Sequence, residues 1–303
     1  MAPPAVLVRT ARELWQCQWR RLMGGLAVEW RIGNPAARAA GRRYLERDLN
    51  RSFVPELLQA TGPVPLEVAR ARQLLADCGP SGEAPCLVAL DLHSTTAAMG
   101  NSLVVYGRRA ADLALAAALQ ADLGLPIYLH EADARQTGYL VERWPCGLVI
   151  EVGPVPQGVL DPAILRQTRL ALESAVIALE RAAAGALRLP SRLVVHRHLG
   201  SLDLPRHADG APAAVLHPQR LGRDWQPLRP GEPLFLTGAD ATIPYQPSAG
   251  LEERTVWPVF LNEAAYGEKG IALSLTSREV WSVESGWGEA LTALAARLER
   301  APD

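Results

Sequence analysis

The stretch that most constrains the fold is an apolar run that ends in polar residues. Residues 86–90 read CLVAL, and the chain continues directly as DLHS over 91–94. A short apolar run that follows Pro85 and stops at polar residues is typical of a buried strand. In open α/β sheets, functional groups gather beyond the carboxyl ends of such strands. The run therefore predicts an α/β sheet with Asp91 and His93 at its functional edge.

Further segments of the first two thirds of the chain fit an α/β pattern, because apolar runs alternate with alanine-rich or amphipathic stretches. The predicted strands are 26–32, 86–92, 103–106, 126–129 and 148–152. The predicted helices are 4–24, 67–78, 110–123 and 162–184.

The character of the chain changes near residue 189. Beyond it, short strand-like runs alternate with prolines and turn residues, which indicates an all-β region. We therefore expect a first domain at 1–189 and a β-rich second domain at 190–303, which ends in a helix. The runs are 192–200, 213–218, 232–238, 255–261 and 271–277, and the last predicted helix is 287–300.

Composition excludes several classes of protein. The chain has 303 residues, a hydrophobic content of 49% and a net charge of −1, which indicates a globular protein without an electrostatic case for nucleic acid. No apolar run is long enough to span a membrane, and no signal peptide is recognisable. Four widely spaced cysteines suit thiols in the cytoplasm better than disulfides. We expect a cytoplasmic protein without membrane partners, and the oligomeric state stays open, a homo-oligomer included.

Three polar clusters follow predicted strands or turns. A carboxylate at the end of a buried strand is costly unless it has a partner or a function. Arginine binds a carboxylate through two parallel hydrogen bonds, which lysine cannot do. Together the clusters suggest hydrolysis or group transfer on a substrate that carries carboxylates. The clusters are Arg43, Asp48, Asn50 and Arg51; Asp91 and His93; and Glu151.

Each cluster also has a structural interpretation. Asp91 and His93 could cap a strand end, Glu151 could pair with an arginine, and the basic run 38–51 could be a solvated face. The chain contains few lysines, so part of its arginine content reflects composition rather than function.

Two histidine pairs resemble metal sites only weakly. His196 and His198 share one face of a predicted strand, as two ligands of a metal ion would. No third ligand lies near them in the sequence, so we interpret them as surface residues. His130 and Glu131 are adjacent, and the same argument makes them a weak ligand pair.

Five motifs occur in order over residues 5–275, and together they resemble the aspartoacylase branch of the aspartoacylase/succinylglutamate desuccinylase family. The resemblance implies a zinc amidohydrolase related in fold to zinc carboxypeptidases, with a mixed sheet flanked by helices and a C-terminal all-β domain that covers the cleft. The motifs are NPxA…RRYxERDLNRxF at 34–53, DLHSTT at 91–96, IEVGPVPQGVL at 150–160, DWQPLRPGEPLFL at 224–236 and VFLNEAAYGEKGIA at 259–272.

The resemblance implies one zinc ion, held by two histidines and one glutamate, and hydrolysis of an N-acyl amino acid. His93 matches one histidine ligand, and Glu151 matches the general base, which also contacts the substrate. Zinc lowers the pKa of bound water to about 7, and a nearby glutamate takes the proton and passes it to the leaving amine.

The same resemblance assigns the substrate-binding residues. Arg43 matches the arginine that polarises the scissile carbonyl and steadies the oxyanion. Asn50 and Arg51 match the pair that binds the substrate carboxylate, and Tyr266 matches a residue of the second domain that reaches into the site. Asp48 is expected to orient Arg43 or His93.

The chain departs from the family at the metal site. In the family, the other histidine and the glutamate ligand come from a motif GGTHGNE, which is absent here, and no histidine precedes His93. One retained ligand does not define a zinc site.

Two explanations of the missing motif compete. Either the start is assigned too late and the sequence is N-terminally truncated, or the protein is an inactive member that binds acyl amino acids. We favour truncation because the other site residues are retained, and the reading frame upstream of Met1 tests it. Replacement ligands from His130 or Glu131 are the less favoured explanation.

The sequence does not decide which side chain the substrate amino acid carries. In relatives selective for acyl-aspartate, an arginine on the loop before the catalytic glutamate takes the side-chain carboxylate. Arg135 or Arg143 could serve here, whereas Tyr139 and Trp144 would suit aromatic or neutral side chains. N-acetylaspartate and N-acetyl aromatic amino acids are therefore both candidate substrates.

Overall fold

A computed structural model of the chain describes residues 25–131 and 136–298, so the predicted helix at 4–24 lies outside the described residues. The helices are α1 (Pro35–Ala39), α2 (Pro55–Leu58), α3 (Leu66–Cys78), α4 (Ala110–Leu123), α5 (Pro162–Ala183) and α6 (Ser285–Ala295). The strands are β1 (Val88–Ser94), β2 (Gly100–Tyr106), β3 (Ile127–His130), β4 (Cys146–Gly153), β5 (Arg192–Leu202), β6 (Ala214–Leu216), β7 (Pro233–Thr237), β8 (Thr242–Pro244) and β9 (Leu273–Ser282).

The described strands form two sheets. Six strands pair in the order β1-β4-β2-β3-β5-β9, and three pair in the order β6-β7-β8. In the larger sheet, β4 is parallel to β1 and β3 is parallel to both β2 and β5, whereas the β2–β4 and β5–β9 pairs are antiparallel. The predicted mixed sheet flanked by helices is therefore confirmed.

The larger sheet has two chemically different faces, because side chains alternate along each strand. On one face, Leu90 of β1 and Ile150 of β4 join the apolar cluster beneath α4, α5 and α6. The opposite face carries Asp91 and His93 of β1 and Glu151 of β4. These residues have odd numbers, and they alternate along the strands with the even-numbered residues of the core. One period-2 pattern thus produces both the core and the polar face.

Helices α4, α5 and α6 cover the apolar face. Nine consecutive residues of α4 are buried, because this helix lies between the sheet and its two neighbours. Gly124 then ends α4 with φ 68°, a left-handed conformation that glycine adopts without strain. Leu172 and Leu179 of α5 and Leu291 of α6 complete this side of the core.

The β-rich region has a core of its own but shares strands with the larger sheet. Leu228, Leu234 and Tyr245 belong to its apolar cluster. The long β5–β9 pair runs from the larger sheet into this region, and α6 packs against α4 and α5. The division at residue 190 stays a prediction, since β5, β9 and α6 follow it in sequence but pack with the first part of the chain.

Two predicted strands differ from the described structure. At 26–32, only Leu26 makes a β-bridge, and Arg70 donates to the backbone oxygens of Ile32 and Gly33. At 255–261, two isolated bridges replace a strand, because Pro258 cannot donate to a ladder. The short strand β8 was not predicted.

The interpretation of His196 and His198 as surface residues was wrong. Both are buried, with 5% and 6% of their surface exposed. Aromatic rings pack over the face of β5 that carries the two histidines: Trp225 and Trp257 lie against His196, and Tyr128 lies against His198. The ring of His196 lies 4.9 Å from that of Trp225, and Tyr128 Oη lies 2.9 Å from His198 Nδ1. Burial lowers the pKa of His196 to about 4, and Arg278 contributes in the same direction.

Two further findings concern the expected cellular setting. Within residues 25–131 and 136–298, no helix combines the length and the apolar composition that crossing a bilayer requires. Cys78, Cys86 and Cys146 are buried and form no disulfide in this part of the chain.

Asp224 provides a test of how the two regions are joined. Its carboxylate accepts hydrogen bonds of 3.1 Å from the backbone of Ala98 and of 3.1 Å from the backbone of Leu261. Burial raises its pKa from 3.8 to about 6, although these amides oppose the shift. The folded state therefore binds more protons than the unfolded state between these values, so this group's contribution to stability falls as pH rises through that window.

The stability difference to follow is the free energy of unfolding of the unchanged protein minus that of Asp224→Asn. We expect this difference to fall by about 2 kcal/mol between pH 4 and pH 7. Urea denaturation of both proteins at several pH values measures this difference. A difference that stays constant or grows with pH would contradict the assignment.

Candidate active site

The pairing of β1, β4 and β2 places the first functional groups side by side. Residue His93 of β1 is in register with Glu151 of β4, and Glu151 is in register with Ser102 of β2. At the end of β4, a Cβ on Gly153 would lie 2.4 Å from the backbone oxygen of Thr95, so only glycine allows this close approach. The ends of β1 and β4 therefore meet at one edge of the polar face.

His93 is oriented by a carboxylate. Its Nε2 lies 2.7 Å from Asp91 Oδ2, which also accepts a hydrogen bond of 2.9 Å from Asn50 Nδ2. Nδ1 of the ring lies 4.0 Å from Glu151 Oε2. Burial lowers the pKa of His93, but the charge and hydrogen bond of Asp91 outweigh it, so the net shift is upward. A carboxylate behind one ring nitrogen fixes the ring and presents the other nitrogen to the site.

Glu151 is a buried carboxylate at the centre of the site. Only 7% of its surface is exposed. Burial raises its pKa to about 7, and the nearby charges of His93 and Arg43 partly oppose this shift. A carboxyl group with this pKa is able to accept and return a proton near neutral pH.

The basic run folds into a turn, and Asp48 binds two cationic side chains through one carboxylate oxygen while it caps the turn with the other. Asp48 Oδ1 accepts the backbone N–H of Asn50 at 3.1 Å and so caps the short 3₁₀ helix Leu49–Arg51. Oδ2 accepts from Arg43 Nη2 at 3.1 Å and from Lys269 Nζ at 2.9 Å. These cations hold the pKa of Asp48 far below its usual range, although burial opposes them. Asp48 therefore orients Arg43, one of its two expected roles.

Arg51 is held against an aromatic ring. Its guanidinium carbon lies 4.2 Å from the centre of the Tyr139 ring, which stacks at 3.7 Å on the ring of Tyr106. Nη1 donates to the backbone oxygen of Asn50 at 2.7 Å, and Nη2 donates to Gln136 Oε1 at 3.4 Å. The guanidinium is thus pre-oriented by stacking and hydrogen bonds.

Asn50 connects this turn to two other parts of the site. Besides its bond to Asp91, its Oδ1 accepts the backbone N–H of Leu140 at 3.0 Å. Its amide therefore braces the site from within the protein, and its contact with a substrate stays a prediction.

Tyr266 is brought to the site by a segment anchored at both ends. This residue lies in the 3₁₀ helix Ala264–Lys269. Before it, Glu263 binds Thr95 Oγ1 and accepts the backbone N–H of Thr96 at 2.7 Å. At the other end, Lys269 binds Asp48, and Glu268 accepts from Tyr44 Oη at 2.7 Å. The segment therefore cannot swing away without breaking several polar contacts.

A cleft of about 470 Å³ collects all six residues that the sequence assigned to the site: Arg43, Asn50, Arg51, His93, Glu151 and Tyr266. The lining combines cationic with aromatic side chains. The aromatic part of the lining, here named the aromatic side, consists of Tyr106, Tyr128, His130, Tyr139 and Phe260.

The described residues do not complete a zinc site. Within 25–131 and 136–298, no three His, Cys, Asp or Glu side chains are placed to hold one metal ion. His93 has the carboxylate-backed geometry of a ligand, but it is one imidazole, and a defined zinc site needs three or four protein ligands. Glu131 pairs with Arg108 at 2.7 Å, so it supplies no replacement ligand.

Of the four residues considered for the substrate side chain, Tyr139 lines the cleft. Arg143 instead donates to the backbone oxygen of Phe53 at 2.7 Å, and Trp144 is buried against Phe53 with its Nε1 bound to the oxygen of Cys78. Arg135 lies outside the described residues.

Sequence reasoning missed several members of the site. Tyr106 and His130 end β2 and β3, but β2 is antiparallel to β4, so the carboxyl ends of β2 and β3 point away from those of β1 and β4 and the strand-end rule does not find them. Glu263 and Lys269 also carry no local signal, because their partners are 168 and 221 residues away.

Comparisons with known proteins agree with this geometry. Residues 1–179 match the succinylglutamate desuccinylase/aspartoacylase catalytic domain, and residues 191–278 match the AstE/AspA barrel-sandwich hybrid domain. A probable aspartoacylase of Parasynechococcus marenigrum (strain WH8102) is 61% identical over 270 residues, which cover 89% of this chain and 88% of that protein.

Solved structures extend the comparison to the fold. The crystal structure of murine aminoacylase 3 matches with a TM-score of 0.81 and 32% identity, over 93% of this chain and 97% of that one. A succinylglutamate desuccinylase from Vibrio parahaemolyticus has a TM-score of 0.53 at 16% identity, over 91% of this chain and 82% of that one, and it supports the fold alone.

The fold, the cleft and these relatives define an amide hydrolase with a mixed α/β sheet and a C-terminal barrel-sandwich hybrid domain. The chain belongs to the succinylglutamate desuccinylase/aspartoacylase family. The resemblance found in the five motifs is therefore confirmed.

Glu263 provides a stability test of the anchored segment. Glu263→Ala removes the acceptor of the Thr96 backbone N–H and of the Thr95 hydroxyl, and the Thr95 hydroxyl is buried. Buried donors without an acceptor are costly, so we expect the free energy of unfolding to fall by about 2–3 kcal/mol. Urea denaturation measures this loss, and Glu289→Ala on the exposed side of α6 is the control, expected within about 0.5 kcal/mol of the unchanged protein. Equal effects of the two substitutions would contradict the anchoring role.

Proposed function

We propose that this protein hydrolyses the amide bond of an N-acyl amino acid, releasing a carboxylate and the free amino acid. The observation that carries the proposal is the convergence of Glu151, His93, two arginines and Tyr266 on one cleft. A candidate base beside cationic groups for an oxyanion and a carboxylate is the arrangement that such a hydrolysis needs.

Zinc belongs to the proposal through the family resemblance. When bound, zinc would supply a polarising charge and lower the pKa of a water molecule. His93 would be one ligand, and the described residues do not provide the others. The roles of proton transfer and substrate binding fall to the chain's own side chains.

Glu151 is proposed as the residue that moves the proton. It lies within the polar face, 4.0 Å from the ring nitrogen of His93 that Asp91 does not contact. From this position it would take a proton from the attacking water and return it to the leaving amine, so that C–O bond formation and C–N bond cleavage are balanced.

The arginines are proposed to bind the two charged parts of the substrate. Arg43, held by Asp48, would stabilise the negative charge that develops on the scissile carbonyl oxygen. Arg51, held by Tyr139, would bind the free carboxylate together with Asn50. Tyr266 is half-buried in the cleft and would donate to the reacting end of the substrate from the hybrid domain.

The substrate side chain is proposed to face the aromatic side of the cleft. Tyr139, on the loop before Glu151, lines the cleft, whereas Arg143 of the same loop is engaged elsewhere. This lining favours an N-acetyl aromatic amino acid over N-acetylaspartate, which stays the second candidate because relatives of the chain carry the name aspartoacylase. A cytoplasmic location and the absence of nucleic-acid and membrane partners stay predictions.

An alternative from another class is an inactive member that binds acyl amino acids without hydrolysing them. The single metal ligand among the described residues favours it. Metal analysis and acetate release separate the two: zinc near one ion per subunit with turnover supports the enzyme, whereas binding without zinc or turnover supports the alternative.

Glu151→Gln tests the proposed base. The amide keeps the shape of the side chain but cannot take a proton, so we expect kcat to fall by at least about 1,000-fold while the affinity for the substrate stays within about threefold. Acetate release and calorimetry measure the two quantities. Turnover close to that of the unchanged protein would exclude Glu151 as the base.

Tyr139→Leu tests the side-chain assignment. Loss of an aromatic contact is worth about 0.5–1.5 kcal/mol, so we expect kcat/KM for N-acetyltyrosine to fall roughly two- to tenfold more than kcat/KM for N-acetylaspartate. The substitution also disturbs Arg51, which stacks on the same ring. This disturbance lowers kcat/KM for both substrates, so it cancels when the two losses are compared. A larger loss for N-acetylaspartate would reverse the assignment.

A further inference from the structure

A buried carboxylate lies behind the arginine-bearing turn and outside the cleft. Glu67 occupies the first turn of α3 and has no exposed surface. Its Oε1 accepts the backbone N–H of Leu45 at 2.7 Å and Nδ2 of Asn34 at 3.0 Å. Its Oε2 accepts the backbone N–H groups of Glu46 at 3.3 Å and Arg47 at 3.0 Å.

The donors explain why a charge is tolerated there. Each is an uncharged amide, and three come from consecutive residues, 45–47, whose N–H groups converge on one carboxylate. Consecutive backbone N–H groups form a concave anion site, and the N-terminus of α3 adds a favourable dipole. Burial alone would raise the pKa of Glu67, but these hydrogen bonds outweigh it and lower the pKa.

The turn at 45–47 connects the charged groups of the site. Arg43 lies two residues before it, and Asp48, Asn50 and Arg51 follow within four residues. The N–H groups of 45–47 donate to Glu67 rather than to a helix or strand partner. Asn34 links the same carboxylate to α1, because its Oδ1 accepts the backbone N–H of Ala37 at 3.1 Å.

We propose that Glu67 is a positioning residue for the proposed deacylase site: its carboxylate shapes the 45–47 turn and thereby sets Arg43 and Arg51 relative to Glu151. Glu67 does not line the cleft, so it acts through the turn and touches no substrate. The inference rests on the proposed function for its effect on substrate, but its effect on the turn is independent of that function.

Glu67→Gln in the full-length protein is the test. The side-chain amide keeps the volume, but its NH₂ group faces backbone donors, so the turn can keep only part of its hydrogen bonds. We expect hydrogen exchange at residues 45–47 to accelerate at least tenfold, while exchange within α5 stays unchanged. We also expect KM for N-acetyltyrosine to rise at least tenfold, more than kcat falls, because Arg51 is displaced.

Two further variants complete the design. Glu67→Asp keeps the charge with a shorter reach, so its exchange rates and KM should lie between those of the unchanged protein and Glu67→Gln. Glu56→Gln replaces an exposed acid in the first turn of α2 and should change neither quantity. A thermal melt of each variant shows whether it is folded, and Glu67→Asp carries the test if Glu67→Gln is not.

If hydrogen exchange at 45–47 is unchanged in the folded Glu67 variants, the inference is overturned. It is also overturned if exchange there becomes faster but KM for N-acetyltyrosine equals that of the Glu56→Gln control. If the unchanged protein neither binds nor hydrolyses N-acyl amino acids, the proposed function fails. The exchange rates then still decide whether Glu67 holds the turn.

Discussion

The parallel pairing of β1 with β4 is the contact on which the site depends. Its register sets His93 opposite Glu151, and the pairing of β4 with β2 sets Ser102 on the other side of Glu151. A slip of one residue along either strand would turn these side chains into the apolar face beneath α4 and α5. Leu90 and Leu92, buried on that face, oppose such a slip, so the same residues that form the core also specify the geometry of the site.

Buried carboxylates fix the segments that the sheet does not reach. The turn at 45–47 lies outside the helices and strands, and Ala264–Lys269 is one short 3₁₀ helix, so no long helix or strand ladder holds either segment. Glu67 and Glu263 bind backbone amides of these segments or of their partners, and Asp48 binds both Arg43 and Lys269. A buried carboxylate is costly unless its hydrogen bonds are satisfied, so each of these groups favours a single arrangement of its segment.

The sequence predicts the strand ends well because burial on both faces leaves a clear apolar run, as at 86–90 and 148–152. It thereby finds Asp91, His93 and Glu151, and the family motifs add Tyr266. The burial of His196 could not be predicted in the same way, because it depends on Trp225 and Trp257, which segments distant in sequence bring against its ring. Contacts such as Lys269 with Asp48 are likewise invisible locally, since they depend on how the hybrid domain returns to the first sheet.

The cationic and aromatic parts of the cleft lining are in contact at one ring. Tyr139 stacks on Tyr106, and the guanidinium of Arg51 packs on the ring of Tyr139. In the proposed function, a substrate held by its carboxylate at Arg51 would have its side chain near the ring that orients the arginine. Replacing Tyr139 by a cation, as an acyl-aspartate pocket would require, would set two positive charges against each other and remove the support of Arg51. In the proposed function, the stack would thus link the anchoring of the carboxylate to the choice of side chain, which is a physical reason for a neutral, flat group at this position.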